Sequence, residues 1–362
     1  MTKLQDLADL GQAIWLDYLR RDMFDSGELD NWIDQGLRGM TSNPSIFEAA
    51  IAKSDLYDEQ INALARGNND PVTIYEALAV EDIQNAADHL KRVYDETNGL
   101  DGYVSLEANP HLAYDTQGTI NEVKDLHERV NRLNVMYKIP ATPEGIEAVR
   151  SLISDGINVN ITLMFSLDHY NRVATAYIDG LKAFKDKGGD LSKVASVASF
   201  FVSRVDVILE PMLEEVGADE LKGKIAIANT KQVYKRFQEI FSGDTWEELA
   251  AAGAHVQRPL WASTSTKSPD MPDTIYVDTL IGPDTVNTMP TSTLEAFIDH
   301  GTVARTVDEN YEEAEEQLRK LTDYGINLLE VGEQLQREGV DKFIKPFDEL
   351  LATIQKQVQP SI

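Results

Sequence analysis

Lys138 lies in "NVMYKIPATPEGIEAV" (134–149), where an apolar run, Val135-Met136-Tyr137, meets Pro140. Proline cannot donate to a strand ladder, so a strand stops there. Thr142-Pro143-Glu144 then has the form of a helix start. A lysine at the end of a buried strand pairs with a carboxylate, snorkels to solvent, or acts as a nucleophile. Desolvation favours the free amine, which attacks a carbonyl to form a Schiff base. That chemistry needs neighbouring acids and bases to carry protons through the carbinolamine. Asp17 in "IWLDYLRR" and Glu107 in "VSLEANP" are carboxylates at similar strand ends. Each has an ordinary alternative: Asp17 pairing with Arg20 or Arg21 or capping the next helix, Glu107 bridging to any basic neighbour. Three ionisable groups on three strand ends point to a shared site more strongly than any one of them.

Other polar residues fall at equivalent places. Asn160 and Thr162 are two apart in "NVNITLMF" and so share a strand face. Asn43 stands in "TSNPS", although Asn-Pro also starts turns for local reasons. Ser199 and Arg204 belong to "SFFVSR", where helix capping and a surface charge are the ordinary explanations. Lys267 closes "WASTSTK", a hydroxyl-rich run after a seventh strand.

Eight short apolar runs would carry these residues: 13–18, 39–44, 103–108, 135–141, 159–165, 194–203, 260–266 and 276–282. The segments between them have helical period, as in Ile146, Val149, Leu152 and Ile153, with Gly156 as a helix stop. Alternating strands and helices imply parallel pairing with right-handed crossovers. The expected fold is an α/β (β/α)₈ TIM barrel with additional helices. An open doubly wound sheet reads similarly, but no glycine-rich nucleotide fingerprint follows any run. Polar residues close nearly every run (Asp17, Asn43, Glu107, Lys138, Thr162, Ser199, Ser263, Asp278), and only a barrel brings all eight ends to one mouth. Such a barrel needs about 250 residues, so 1–362 is read as a single barrel domain with helical elaborations at about 45–101 and 291–362.

Sixty-one acidic residues against 33 basic give a net charge of −28, which disfavours nucleic acid and anionic membranes as partners. An anionic substrate would need a locally positive site. There is no cysteine, which excludes a disulfide framework and a thiolate metal site and fits an intracellular protein. The start of the chain lacks a signal-peptide pattern, no apolar run has the length of a membrane span, and the expected location is cytoplasmic. The six histidines show no metal-ligand spacing, and no metal or cofactor is expected.

"MTSNPSIF", "VSLEANPHLAYDT", "YKIPATPEGIEA", "GINVNITLMFS", "SVASFFVSR", "RPLWASTSTK" and the tail "GVDKFIKPFDELL" resemble the successive strand-end motifs of the transaldolase family in its longer bacterial and plant-like form. The resemblance covers nearly the whole chain. It implies a (β/α)₈ barrel that transfers a dihydroxyacetone unit from sedoheptulose 7-phosphate to glyceraldehyde 3-phosphate in the pentose phosphate pathway. By the same resemblance Lys138 is the Schiff-base lysine, Asp17 the acid/base at C3–C4 bond cleavage, and Glu107, with Thr162, the holder of a water that relays protons. Asn43, Asn160 and Ser199 would bind the dihydroxyacetone hydroxyls, and Arg204 and Lys267 the phosphate. A close relative in this family cleaves without transfer, with glutamine at the position of Glu107 and tyrosine at that of Phe201. Glutamate and phenylalanine here favour transfer.

One motif departs from the pattern. The family commonly has Val-Asp-x-Arg after the glutamate, and this chain has Ala108-Asn109-Pro110-His111. Losing an acid and a base together leaves no lone charge, but it puts the orientation of Glu107 in question. The competing readings are a Schiff-base sugar-phosphate aldolase without transfer and a non-catalytic barrel that binds sugar phosphates. A sensor would keep the binding residues without needing Asp17, Lys138 and Glu107 together. The expected partners are small sugar phosphates, with the protein a monomer or homodimer.

Overall fold

A computed structural model describes residues 2–67 and 70–358. Eight strands, β1 Gln12–Asp17, β2 Gly39–Thr41, β3 Tyr103–Glu107, β4 Val135–Pro140, β5 Val159–Met164, β6 Ser196–Phe201, β7 Arg258–Ala262 and β8 Thr285–Met289, close in sequence order into a parallel barrel. The expected barrel is therefore what forms. β1 pairs with both β2 and β8, which closes the ring.

The β4 crossover shows how the pattern becomes structure. Pro140 ends the strand, and Thr142 caps the helix Pro143–Ser154 by accepting from the Gly145 N–H at 3.0 Å. Proline at the first helical position costs no hydrogen bond. Ile146, Val149, Leu152 and Ile153 form its buried face, and Gly156, at φ +78°, turns the chain back toward β5. Gly39 in β2 is required for a different reason: a Cβ there would lie 2.6 Å from the ring of buried Trp15.

The eighth strand is displaced from its expected place. Residues 276–282 are not a strand; Ile275–Asp278 is a single helical turn, and Asp278 accepts from Thr274 at 2.8 Å, away from any strand end. Tyr276, Val277, Leu280 and Ile281 have the i, i+4 spacing of a buried helical turn, which an apolar run of that length does not distinguish from a strand. The true β8, "TVNTM", looks polar because Thr285, Asn287 and Thr288 are all buried and hydrogen-bonded, Thr288 on the interior face of the barrel and Thr285 and Asn287 on the opposite face.

Between β2 and β3 the chain forms helices Pro44–Ala52, Asp58–Ala65 and Pro71–Glu96; after β8 come Thr291–His300, Tyr311–Asp323 and the long Leu328–Val358. Among the described residues no helix is long and apolar enough to cross a membrane.

At the opposite end from the strand termini, Arg258 pairs with Asp101 at 2.8 Å and donates to the Leu100 carbonyl; the two residues are 5 % and 7 % exposed. Removing one member leaves the other charge buried, typically at a cost of about 3–5 kcal/mol. Arg258→Met should lose that much stability in urea titration, and adding Asp101→Asn should restore part of it. Equal stability of the single variant and the parent would refute this role.

Candidate active site

Parallel register places three of the expected site residues side by side. Glu107 is the cross-strand partner of Lys138, and Lys138 is the partner of Asn160. Residues opposite one another in a parallel ladder point to the same face, here the barrel interior. The Lys138 Nζ lies 3.1 Å from Glu107 Oε2 and donates to the Ser42 carbonyl at 3.3 Å. Both side chains are almost wholly buried, at 6 % and 2 % exposure. The ring of Phe343, from the C-terminal helix, faces the ammonium with its centroid 5.5 Å away. Burial pushes the Glu107 carboxyl up to about 7; Lys138 opposes the shift and Asp17 adds to it. The 3.1 Å contact lacks the alignment of a good hydrogen bond, and among the described residues neither carboxylate oxygen has a hydrogen-bond partner.

Asp17, at the end of β1, pairs with neither Arg20 nor Arg21. Those arginines bind Asp22 and Asp82. Asp17 instead accepts from the Thr41 hydroxyl at 2.7 Å, and that hydroxyl also contacts Thr288 of β8 at 2.7 Å. Asn43 has both of its expected natures: its Oδ1 caps the helix Pro44–Ala52 at Ile46 N–H, 3.0 Å, while the residue lines the mouth cavity. Asn160 is fully buried; it accepts from Ser199 Oγ at 2.6 Å and donates to Ser105 Oγ at 3.0 Å. Ser199 is thus the member of that pair lining the cavity. Thr162 lines it too, and its buried hydroxyl has no hydrogen-bond partner among the described residues.

The cavity measures about 160 Å³ and is bounded by Asp17, Asn43, Lys138, Thr162, Ser199, Phe201, Arg204 and Lys267, among others. Phe201 packs on Phe165, ring centroids 5.3 Å apart, and the Arg204 guanidinium lies 5.1 Å from the Phe201 centroid. Burial lowers the pKa of Arg204, but a guanidinium remains charged in a protein. Its Nη1 is buried without a hydrogen-bond partner among the described residues. Buried polar groups are normally paired, so Thr162 and Arg204 on the cavity wall, with Glu107 behind Lys138, are suited to a polar ligand. Lys138, Arg204 and Lys267 make this mouth locally positive on an acidic protein.

The structure adds residues that sequence reasoning missed. Thr41 precedes Asn43 by two and was legible by strand period, but Thr288 was hidden in the misplaced β8. Phe343 lay in the recognised tail motif, whose contact with Lys138 only the packed helix reveals. The departing motif also finds a place: the Asn109 N–H donates to Glu122, and His111 pairs with Asp348 of the C-terminal helix at 2.7 Å. The close charged neighbour of Glu107 is therefore Lys138.

The sequence profile of the transaldolase/fructose-6-phosphate aldolase family matches residues 14–354. Curated relatives named transaldolase from Trichodesmium erythraeum and Thermobifida fusca, and transaldolase 2 from Nostoc sp., are each 46 % identical over 98 % of this chain. The alignments cover 97 %, 98 % and 97 % of the Trichodesmium, Thermobifida and Nostoc proteins respectively. Relatives of this identity along nearly full length, on a barrel with a lysine–carboxylate pair at its mouth, leave one conclusion: the chain belongs to the transaldolase/fructose-6-phosphate aldolase family.

Proposed function

We propose that this chain is a transaldolase that moves a dihydroxyacetone unit from sedoheptulose 7-phosphate to glyceraldehyde 3-phosphate, giving erythrose 4-phosphate and fructose 6-phosphate in the pentose phosphate pathway. The observation that carries the reading is the buried Lys138–Glu107 pair on adjacent strand ends, with Asp17 lining the same cavity.

The free amine of Lys138 attacks the C2 carbonyl of the ketose, and the carbinolamine loses water to give an imine. Glu107, with a water also held by Thr162, moves the protons of that dehydration and of the later hydrolysis. Asp17 takes the proton of the C4 hydroxyl as the C3–C4 bond breaks; the aldose phosphate leaves and the electron pair enters the protonated imine. The resulting enamine attacks the acceptor aldehyde, and Asp17 returns the proton to the new hydroxyl. The imine is itself the electron sink, so the reading requires neither cofactor nor metal ion. Asn43 and Ser199 hold the hydroxyls of the three-carbon unit, and Asn160 orients Ser199. Arg204 forks onto the phosphate, with Lys267 as a second charge. The protein is read as one domain acting on sugar phosphates in the cytoplasm, as a monomer or homodimer.

The competing aldolase reading differs in the fate of the enamine. The apolar ring of Phe201 excludes a hydroxyl that would orient a hydrolytic water, so the intermediate waits for an aldehyde. Phe201→Tyr should raise cleavage relative to transfer, measured as free dihydroxyacetone against transferred product. An unchanged ratio would refute this role.

Fructose 6-phosphate and erythrose 4-phosphate supplied together should yield sedoheptulose 7-phosphate. Lys138→Met should reduce that yield by about a thousandfold or more; residual activity close to wild type would reject the lysine as nucleophile.

Because the folded carboxyl of Glu107 lies above its ordinary value of 4.5, its contribution favours the fold at low pH and is lost as pH rises toward about 7. Wild-type stability should fall across that window more steeply than that of Glu107→Gln. The pH profile of kcat/KM should carry a limb near 7 that the variant lacks, an apparent value belonging to the Glu107–Lys138 pair. A limb that persists in Glu107→Gln would assign it elsewhere.

A further inference from the structure

The C-terminal helix, Leu328–Val358, turns one face toward the barrel mouth. Along it Gly332, Gln336, Gly339 and Phe343 follow at intervals of four, three and four residues, the spacing of a single helical stripe. The glycines permit close approach. A Cβ at Gly339 would lie 2.8 Å from the Leu163 side chain, and one at Gly332 would lie 3.0 Å from Ser166 Cβ. Between them Gln336 is buried, at 4 % exposure, and its Nε2 donates to the Ala141 carbonyl at 2.9 Å and the Leu163 carbonyl at 3.0 Å.

Those two carbonyls bracket the chemistry. Ala141 follows the last residue of β4, the strand of Lys138. Leu163 follows Thr162 in β5, where the register against β6 shifts between Ile161 and Met164. Leu163 has φ +61°, a left-handed conformation that a branched side chain adopts only when its surroundings impose it. The Thr162 carbonyl is held from the other side by the Ala141 N–H at 2.8 Å. The direction in which the Thr162 hydroxyl points therefore depends on how the Thr162–Leu163 segment is pinned, and Gln336 is the side chain that pins it from the helix. Both contacts are to acceptors, so only a donor serves here.

We infer that Gln336 is a positioning residue: by holding the Leu163 carbonyl it fixes the left-handed turn that aims the Thr162 hydroxyl into the cavity, and so sets the rate of imine formation and hydrolysis. This rests on the proposed role of Thr162.

The test is a double-mutant cycle in the full-length protein with Gln336→Met, Thr162→Val and the pair, measuring kcat and KM for transfer from fructose 6-phosphate to erythrose 4-phosphate. Rates are normalised to sites competent for borohydride trapping, and thermal melts are recorded in parallel. Gln336→Met should lower kcat about tenfold or more, leave KM within about twofold, and cost nothing further in the Thr162→Val background. An equal loss of kcat in both backgrounds would show a merely structural contribution and overturn the inference, as would full kcat in Gln336→Met. Full kcat in Thr162→Val alone would instead reject the role of Thr162, and the inference with it. If Gln336→Met does not fold, Gln336→Asn, whose amide is one methylene short of both carbonyls, takes its place with the same outcomes.

Discussion

The ion pair between Lys138 and Glu107 sets the conditions that the rest of the molecule must meet. Two charges taken out of water are costly, and their attraction repays that cost only in good geometry. The barrel provides the geometry through register, because Glu107, Lys138 and Asn160 are cross-strand partners on β3, β4 and β5. Among the described residues no other group offers Glu107 a close opposite charge, and burial pushes its carboxyl up to about 7 despite the lysine. A carboxyl held there exchanges protons readily at neutral pH, which suits a relay better than an acid fixed in one state.

Part of the burial at the mouth comes from outside the barrel. The C-terminal helix lays Phe343 over the ammonium and sets Gln336 against two strand-end carbonyls. It is tied at further points, with Glu333 contacting buried His169 at 3.2 Å and Asp348 contacting His111. The C-terminal helix thus completes a site whose Asp17, Glu107 and Lys138 come from the first half of the chain. The phosphate end answers a different constraint. On a protein with net charge −28, Arg204 and Lys267 bring positive charge to the cavity that an anionic sugar must enter.

Much of this was legible in the sequence because strand ends in a barrel are marked twice, by an apolar run and by the polar residue that closes it. Lys138, Asp17 and Glu107 were each identifiable that way, and the helix start at Thr142-Pro143 confirmed where β4 stops. The eighth strand was not legible, since three of its five residues are polar while 276–282 is apolar; polarity alone assigned the wrong segment. Asp278 fell away with that assignment, and Thr288 could not be found without β8. Helix packing was equally hidden: nothing local to Gln336 or Phe343 says which strand end each covers, because that depends on the path of the chain over the mouth. The replacement of the family's acid and base by Asn109 and His111 also made sense only in three dimensions, where His111 reaches the C-terminal helix.

The proposed chemistry requires Lys138 to form a covalent imine with a ketose phosphate. Reduction with borohydride in the presence of fructose 6-phosphate, followed by peptide mass mapping, tests it most directly. A stable adduct of the reduced dihydroxyacetone unit is expected on the peptide that contains Lys138, depleted when erythrose 4-phosphate is added before the reductant. A protein that binds the sugar phosphate yet yields no adduct, or carries the adduct on another lysine, would contradict it.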